Sequence, residues 1–171
     1  TAWVATASTG IIKIPFKNNI DNNYQYFEKK EGIKDLQIND LYIQNAEKVW
    51  YATNNGNIGY IENNQVRDYY QILDKNVVIS SLIIKDQHLF LGTMGDGIWI
   101  ANLNNPREIK PLSGIKKLNS KNIYQLIFDT DGNLWAGTEK GVNKIIIDAN
   151  TSMLDVFYFG RNDGFLGIET I

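Results

Sequence analysis

The sequence predicts an all-β fold, and three observations lead to this prediction. Short apolar runs fill much of the chain, for example residues 123–128, 134–138 and 142–147. Asp-Gly and Lys-Gly pairs separate these three runs, which is typical of antiparallel strands joined by tight hairpins. None of the runs is long enough for an ordinary helix. The third observation is a short motif that recurs along the whole chain.

The recurring motif consists of an aromatic residue, any residue, a small residue and threonine. Its four copies run from Trp3 to Thr6, from Trp50 to Thr53, from Phe90 to Thr93, and from Trp135 to Thr138. The threonines lie 47, 40 and 45 residues apart, and a period in the forties with several strands per repeat is typical of a β-propeller with four-stranded antiparallel blades. A plain antiparallel sheet with coincidental similarities is the alternative.

The chemistry of the motif indicates a structural role for each of its positions. We expect the aromatic side chain to fill the space between neighbouring blades. The small residue would let a facing sheet approach closely. The threonine suits the end of a strand, where its hydroxyl can form a hydrogen bond with the next turn.

The repeats divide the chain into a partial blade (1–35), three blades (36–75, 76–118 and 119–160) and the beginning of a further blade (161–171). We expect a poor outer strand in the third blade, since Pro106 and Pro111 suit only an edge strand.

Gly32, Gly114 and Gly164 occupy matching positions between an outer strand and the next inner strand. The first blade begins at its second strand. We therefore expect a segment of a larger propeller, with more blades than this chain shows; a closed four-bladed ring is the alternative.

Composition excludes several classes of function. The 171 residues carry a net charge of −2, which gives no support for a nucleic-acid partner. The absence of cysteine rules out a disulfide framework and thiolate metal sites. No apolar stretch approaches the length of a membrane span, and residues 1–30 lack the layout of a signal peptide.

The candidates for catalysis and metal binding are weak. Residues 129–133 partly resemble a calcium-binding loop, but Glu139 does not lie at the offset that a bidentate ligand would need. A structural Asp-Gly hairpin is the favoured interpretation. His88 is the only histidine and follows Asp86 and Gln87 in a predicted turn, without Cys partners for zinc. We predict no catalytic residue, no metal and no cofactor.

Ligand binding is predicted on one face of the blades, where the turns differ between repeats. Loops that vary on a rigid scaffold are the usual place for recognition. These turns follow the threonine strands and the outer strand of the last blade, and their candidate residues are Asn54, Asn55, Met94, Asp96, Glu139, Lys140, Arg161 and Asn162.

Residues 123–142 resemble the two-component regulator propeller repeat, and residues 162–170 resemble the stretch that leads into a late blade of such propellers. The second repeat departs from the pattern at Ala52 and Asn57, and the third has Phe90 in place of tryptophan. The resemblance implies the extracytoplasmic, periplasmic sensor part of a Bacteroidetes histidine kinase or hybrid two-component regulator. It also implies a non-enzymatic module, a small-molecule or oligosaccharide ligand, a homodimeric full-length sensor, and a membrane-linked kinase region outside this chain.

Two other functions remain open at this point. Residues 49–59 somewhat resemble streptogramin-lyase-type repeats, so a propeller hydrolase or lyase acting on glycans or lactones is one alternative. A platform for protein interactions is the other.

Overall fold

The computed structural model describes residues 1–16, 24–71, 77–114 and 117–165, without the side chains of residues 68–71 and 106–107. The described residues form four antiparallel sheets in chain order, one with three strands and three with four. We call these sheets blades 1 to 4. The prediction of an all-β fold with four-stranded antiparallel blades is confirmed. Among the described residues no helix is long and apolar enough to cross a membrane.

The strands follow one another within each blade. Blade 1 contains β1 (Ala2–Ala5), β2 (Ile11–Ile14) and β3 (Gln25–Phe27). Blade 2 contains β4 (Ile38–Asn45), β5 (Lys48–Thr53), β6 (Asn57–Glu62) and β7 (Gln65–Gln71). Blade 3 contains β8 (Ile79–Lys85), β9 (His88–Thr93), β10 (Ile98–Asn102) and β11 (Asn105–Pro111). Blade 4 contains β12 (Ile123–Phe128), β13 (Leu134–Thr138), β14 (Gly141–Ile147) and β15 (Met153–Phe159).

The chain divides into two compact units, residues 1–79 and 80–171. In the first unit, a core that includes Ile11, Phe27, Val49, Tyr51 and Ile61 joins blades 1 and 2. In the second unit, Phe90 and Ile100 of blade 3 pack with Leu134 and other apolar residues of blade 4. Each core therefore consists of apolar side chains from the facing surfaces of two consecutive blades.

The connections between blades contain the glycines that the sequence placed at matching positions. Short 3-10 turns at Lys29–Glu31 and Arg161–Asp163 end at Gly32 and Gly164, which have φ values of 111° and 84°. Gly114 has a φ of 85° in the corresponding connection after β11. Only glycine adopts such dihedral angles without strain, which explains its recurrence. The part of the predicted further blade at residues 166–171 lies outside the described residues.

One detail of the predicted blades agrees with expectation and another differs. The outer strand of blade 3 spans seven residues, but its register with β10 shifts between Ala101 and Asn102, and Pro111 lies on this edge strand as predicted. Trp50 and Phe90 are buried, with 3% and 1% exposure, whereas Trp3 and Trp135 are only half-buried. Trp135 is therefore less buried than expected of a side chain that fills the space between two blades.

Candidate functional site

The motif threonines anchor the turns that carry the predicted ligand-binding residues. The Thr138 hydroxyl donates to the Gly141 carbonyl at 2.9 Å and accepts from the Lys140 backbone N–H at 3.1 Å. Thr93 makes the equivalent pair of bonds, with the Gly97 carbonyl at 2.8 Å and the Asp96 backbone N–H at 3.2 Å. The predicted contact between the threonine hydroxyl and the following turn is confirmed, and these turns present their side chains from a rigid base.

In the second unit the structure connects the turns after β9 and β13. Met94 forms an isolated antiparallel bridge with Asn122. The Asn122 amide donates to Oε1 of Glu139 at 3.4 Å, and the Ser120 hydroxyl donates to the same oxygen at 2.6 Å. Two predicted ligand-binding residues, Met94 and Glu139, thus share the segment 120–122. This segment was missed in the sequence because its polar residues resemble an ordinary connection.

A buried amide network lies next to this segment. Asn143 is completely buried, and its amide donates to Oδ1 of Asn119 at 2.7 Å. Oδ1 of Asn143 accepts from the Asn119 backbone N–H at 3.3 Å, which fixes the orientation of both side-chain amides. Asn143 could have been found in the sequence, since a polar residue interrupts the apolar run of β14.

Glu139 provides a negative charge at the predicted loop face. Burial opposes its ionisation, but hydrogen bonds from Ser120, its own backbone and Asn122 outweigh this effect, so the pKa of Glu139 is lowered. The carboxylate is therefore ionised at neutral pH. Oε2 of Glu139 and Nδ2 of Asn119 are buried without a hydrogen-bond partner among the residues that the structure describes.

The side chains of the other predicted ligand-binding residues make no hydrogen bond with this cluster among the residues that the structure describes. Asp96 and Lys140 are exposed at their turns, and Arg161 and Asn162 are exposed in the 3-10 turn after β15. Asn54 and Asn55 belong to the first unit, where the Asn55 backbone N–H donates to Asp35 at 3.0 Å. Asp35 also accepts from the Gln37 backbone N–H at 3.1 Å and was not identified from the sequence.

Asp129 holds the predicted hairpin at residues 129–133 through hydrogen bonds. Its carboxylate accepts from the Asn133 backbone N–H at 2.8 Å, from the Asn133 amide at 2.9 Å and from the Trp135 indole at 2.8 Å. These hydrogen bonds, helped by the charge of Lys144, hold the pKa of Asp129 well below its usual range. No group of side chains suited to a metal ion occurs in the described part of the chain.

Comparisons with known proteins agree with this architecture. Residues 117–140 match the family model described as two component regulator propeller. No curated protein matches the chain. The extracellular domain of the proposed one component system BT4673 from B. thetaiotaomicron is similar over 94% of this chain, with 19% identity and a TM-score of 0.70. The chain covers only 24% of that domain.

Two further solved structures support the same fold. Virginiamycin B lyase from Staphylococcus aureus is similar over 92% of this chain and 51% of its own, with 16% identity and a TM-score of 0.65. The WD40 β-propeller domain of Doa1 is similar over 72% of this chain and 41% of its own, with 16% identity and a TM-score of 0.55. The chain thus has a β-propeller fold, and its residues 117–140 match the two component regulator propeller repeat.

Proposed function

We propose that this chain is a ligand-sensing segment of an extracytoplasmic sensor propeller in a two-component regulator. The observation that carries the proposal is the two component regulator propeller repeat at residues 117–140. The similarity to the extracellular domain of BT4673, which is also named as a proposed hybrid two component system, supports it. The proposed full-length protein is a periplasmic homodimeric sensor that transmits ligand binding to a kinase region.

The proposed ligand is an oligosaccharide or another small molecule, bound at the turns around Glu139. These turns vary between repeats, and the second unit connects two of them through Asn122. An ionised carboxylate surrounded by Ser and Asn side chains suits hydroxyl groups, which donate to the carboxylate and accept from the amides. The proposed change on binding is a shift in packing between blades or protomers, with no chemical turnover.

Isothermal titration calorimetry with a panel of plant and microbial oligosaccharides tests this proposal. We expect one oligosaccharide class to bind, and we expect Glu139→Gln to weaken binding about tenfold or more, because a charge-assisted hydrogen bond is lost. Glu47→Gln is the matched control, since the Glu47 side chain is 59% exposed in the first unit. Binding that Glu139→Gln leaves unchanged would contradict the proposed location, and failure of every oligosaccharide to bind would contradict the proposed ligand class.

A lyase or hydrolase is the second candidate, favoured by the similarity to virginiamycin B lyase. That similarity concerns the fold, since the sequences share only 16% identity. Chromatography of the same oligosaccharides after incubation with the protein separates the two functions. Product formation would favour the enzyme, whereas unchanged oligosaccharides that nevertheless bind would favour the sensor.

A further inference from the structure

A second candidate site lies at the other end of the strands, within residues 80–171. A cleft of about 170 Å³ opens between the turn that joins β8 to β9 and the turn that joins β14 to β15. The residues that line it include Lys85, Asp86, His88, Phe90, Asp148 and Thr151. An adjoining space of about 110 Å³ shares His88 and Thr151 with the cleft and extends to Asn102, Glu108 and Lys110. We call the two spaces together the His88 cleft.

The His88 cleft has an apolar base and a polar rim. Ile147 is half-buried and provides the accessible apolar surface, and Phe90, Ile100 and Ala101, which are at most 2% exposed, lie at the bottom. His88 is half-buried, whereas Asp86 and Lys110 are exposed. Small-molecule sites commonly combine such an apolar base with a few converging polar groups.

Several polar groups of the rim are available for a ligand. The side chains of His88, Asp86 and Lys110 make no hydrogen bond or ion pair with any residue that the structure describes. Glu108 uses Oε1 to accept from the Asn105 amide at 2.8 Å. Lys85 differs from these residues, since its ammonium group donates to the Gly132 carbonyl at 2.9 Å and lies over the Phe128 ring.

The backbone at the rim adopts unusual conformations. Asp86 and Thr151 have φ values of 53° and 63° and are two of the four non-glycine residues with positive φ in the described ranges. A β-branched residue rarely adopts this conformation. Asp148 holds Thr151 in place by accepting from the backbone N–H groups of Asn150 at 2.9 Å and Ser152 at 2.7 Å. Such unfavourable conformations persist where the surrounding structure enforces them, and they are common at functional sites.

The charges at the cleft select the class of ligand. The cleft is lined by three carboxylates, on Asp86, Glu108 and Asp148, and by two ammonium groups, on Lys85 and Lys110. The ammonium group of Lys85 is already bonded to the Gly132 carbonyl. An anion would therefore meet more repulsion than attraction. Within the described ranges these side chains form no metal-binding group. A neutral molecule with several hydroxyl groups fits, because each hydroxyl can donate to a carboxylate and accept from His88 or Lys110.

We propose that the His88 cleft binds a neutral monosaccharide unit. The choice of a carbohydrate rests on the proposed function, but the location is independent of the Glu139 turns. The apolar base contacts the carbon-bound hydrogens of the sugar ring, and the rim forms hydrogen bonds with its hydroxyl groups. His88, which follows the β8–β9 turn and has the only imidazole in the chain, is the central contact.

Nuclear magnetic resonance of the full 171-residue chain tests this proposal, because a single histidine gives a single set of ring nitrogen signals. The probes are D-glucose, D-galactose, D-mannose, D-xylose and L-arabinose, each titrated separately. We expect at least one of them to shift the His88 ring signals to saturation. We expect Asp86→Asn to weaken this binding about tenfold or more, since it removes a charged acceptor while Asn still tolerates the positive φ.

Asp155→Asn is the matched control, because Asp155 is an exposed aspartate of β15 that does not line the cleft. It should leave the affinity unchanged. The proposal is overturned if none of the five sugars moves the His88 signals, or if Asp155→Asn weakens binding as much as Asp86→Asn. Oligosaccharide binding that depends on Glu139 and leaves His88 unaffected would contradict the cleft and support the proposed function. Monosaccharide binding at His88, with no binding that depends on Glu139, would support the cleft and contradict the location proposed at Glu139.

Discussion

Trp135 shows how one side chain is positioned by its own hairpin. Its indole N–H donates to Asp129 at 2.8 Å, its ring stacks on Phe159 at 5.6 Å, and the Lys144 ammonium lies 5.4 Å from the ring centre. All of these contacts come from blade 4. Trp50 has a similar aromatic partner, Tyr60 at 4.8 Å, but is almost completely buried. The two tryptophans occupy the same position in the repeat and differ in how much of the ring is covered.

We predict that Trp50→Ala destabilises the chain more than Trp135→Ala. Removal of a fully buried tryptophan costs about 3–5 kcal/mol, whereas the half-buried Trp135 should cost about 2 kcal/mol. Lys140→Ala is the control and should change the free energy of unfolding by at most about 0.5 kcal/mol, since Lys140 is exposed. Urea denaturation measures all three. An equal loss for the two tryptophan variants would mean that Trp135 is buried in the protein in solution.

Neighbouring blades can approach closely where a strand carries a small residue on the facing side. A Cβ added at Gly92 in β9 would lie 2.7 Å from Cγ2 of Ile123 in β12. Ile123 is fully buried, so it has little freedom to move. A Cβ added at Gly137, the matching position of blade 4, would meet only Gln125 at 3.8 Å, which is an ordinary contact. The predicted role of the small residue is thus visible at Gly92.

We predict opposite effects for alanine at these two positions. Gly92→Ala should destabilise the chain by about 1–3 kcal/mol, because it forces blade 4 away from blade 3. Gly137→Ala should stabilise it by about 0.5 kcal/mol, since alanine loses less backbone entropy than glycine when a strand forms. Thermal unfolding of both variants beside the wild type checks this pair. If Gly137→Ala is as harmful as Gly92→Ala, another sheet covers that face of blade 4 in solution.

At the scale of the whole molecule, one face of blade 4 stands out. Ile127, Trp135, Lys144 and Phe157 lie side by side across its four strands. Ile127 is 58% exposed and Phe157 is 47% exposed. In blade 3 the matching row contains Phe90 and Ile100, which are buried against blade 4. Exposed apolar surfaces of this kind promote association.

We therefore predict that the 171-residue chain self-associates when expressed alone, because this apolar row is exposed. Ile127→Lys should lower the associated fraction, because it places a charge in the apolar row. Ile43→Lys is the matched control, since Ile43 is 55% exposed on β4, the first strand of blade 2. Light scattering over a range of concentrations measures the mass. A stable monomer at all concentrations would contradict the prediction.

Local sequence determined the strands, the turns and the repeat. The Asp-Gly and Lys-Gly turns, the apolar runs between them and the spacing of the four threonines act over a few residues, and they predicted the hairpins and threonine contacts that the structure contains. The hairpin at Asp129 is the clearest example, because its donors all lie within 15 residues of it. Physical causes that act locally can be recognised in a sequence without knowledge of the fold.

Only the tertiary structure decided which side chains meet. Ser120 and Asn122 reach Glu139 because β12 pairs with β13, and no local pattern in the sequence marks that cluster. The His88 cleft combines turns about 60 residues apart in sequence. The half-burial of Trp135 also depends on the tertiary structure, since the repeat gives all four aromatic residues the same local environment. Burial and site assembly result from packing between elements distant in sequence, and that packing depends on the fold as a whole.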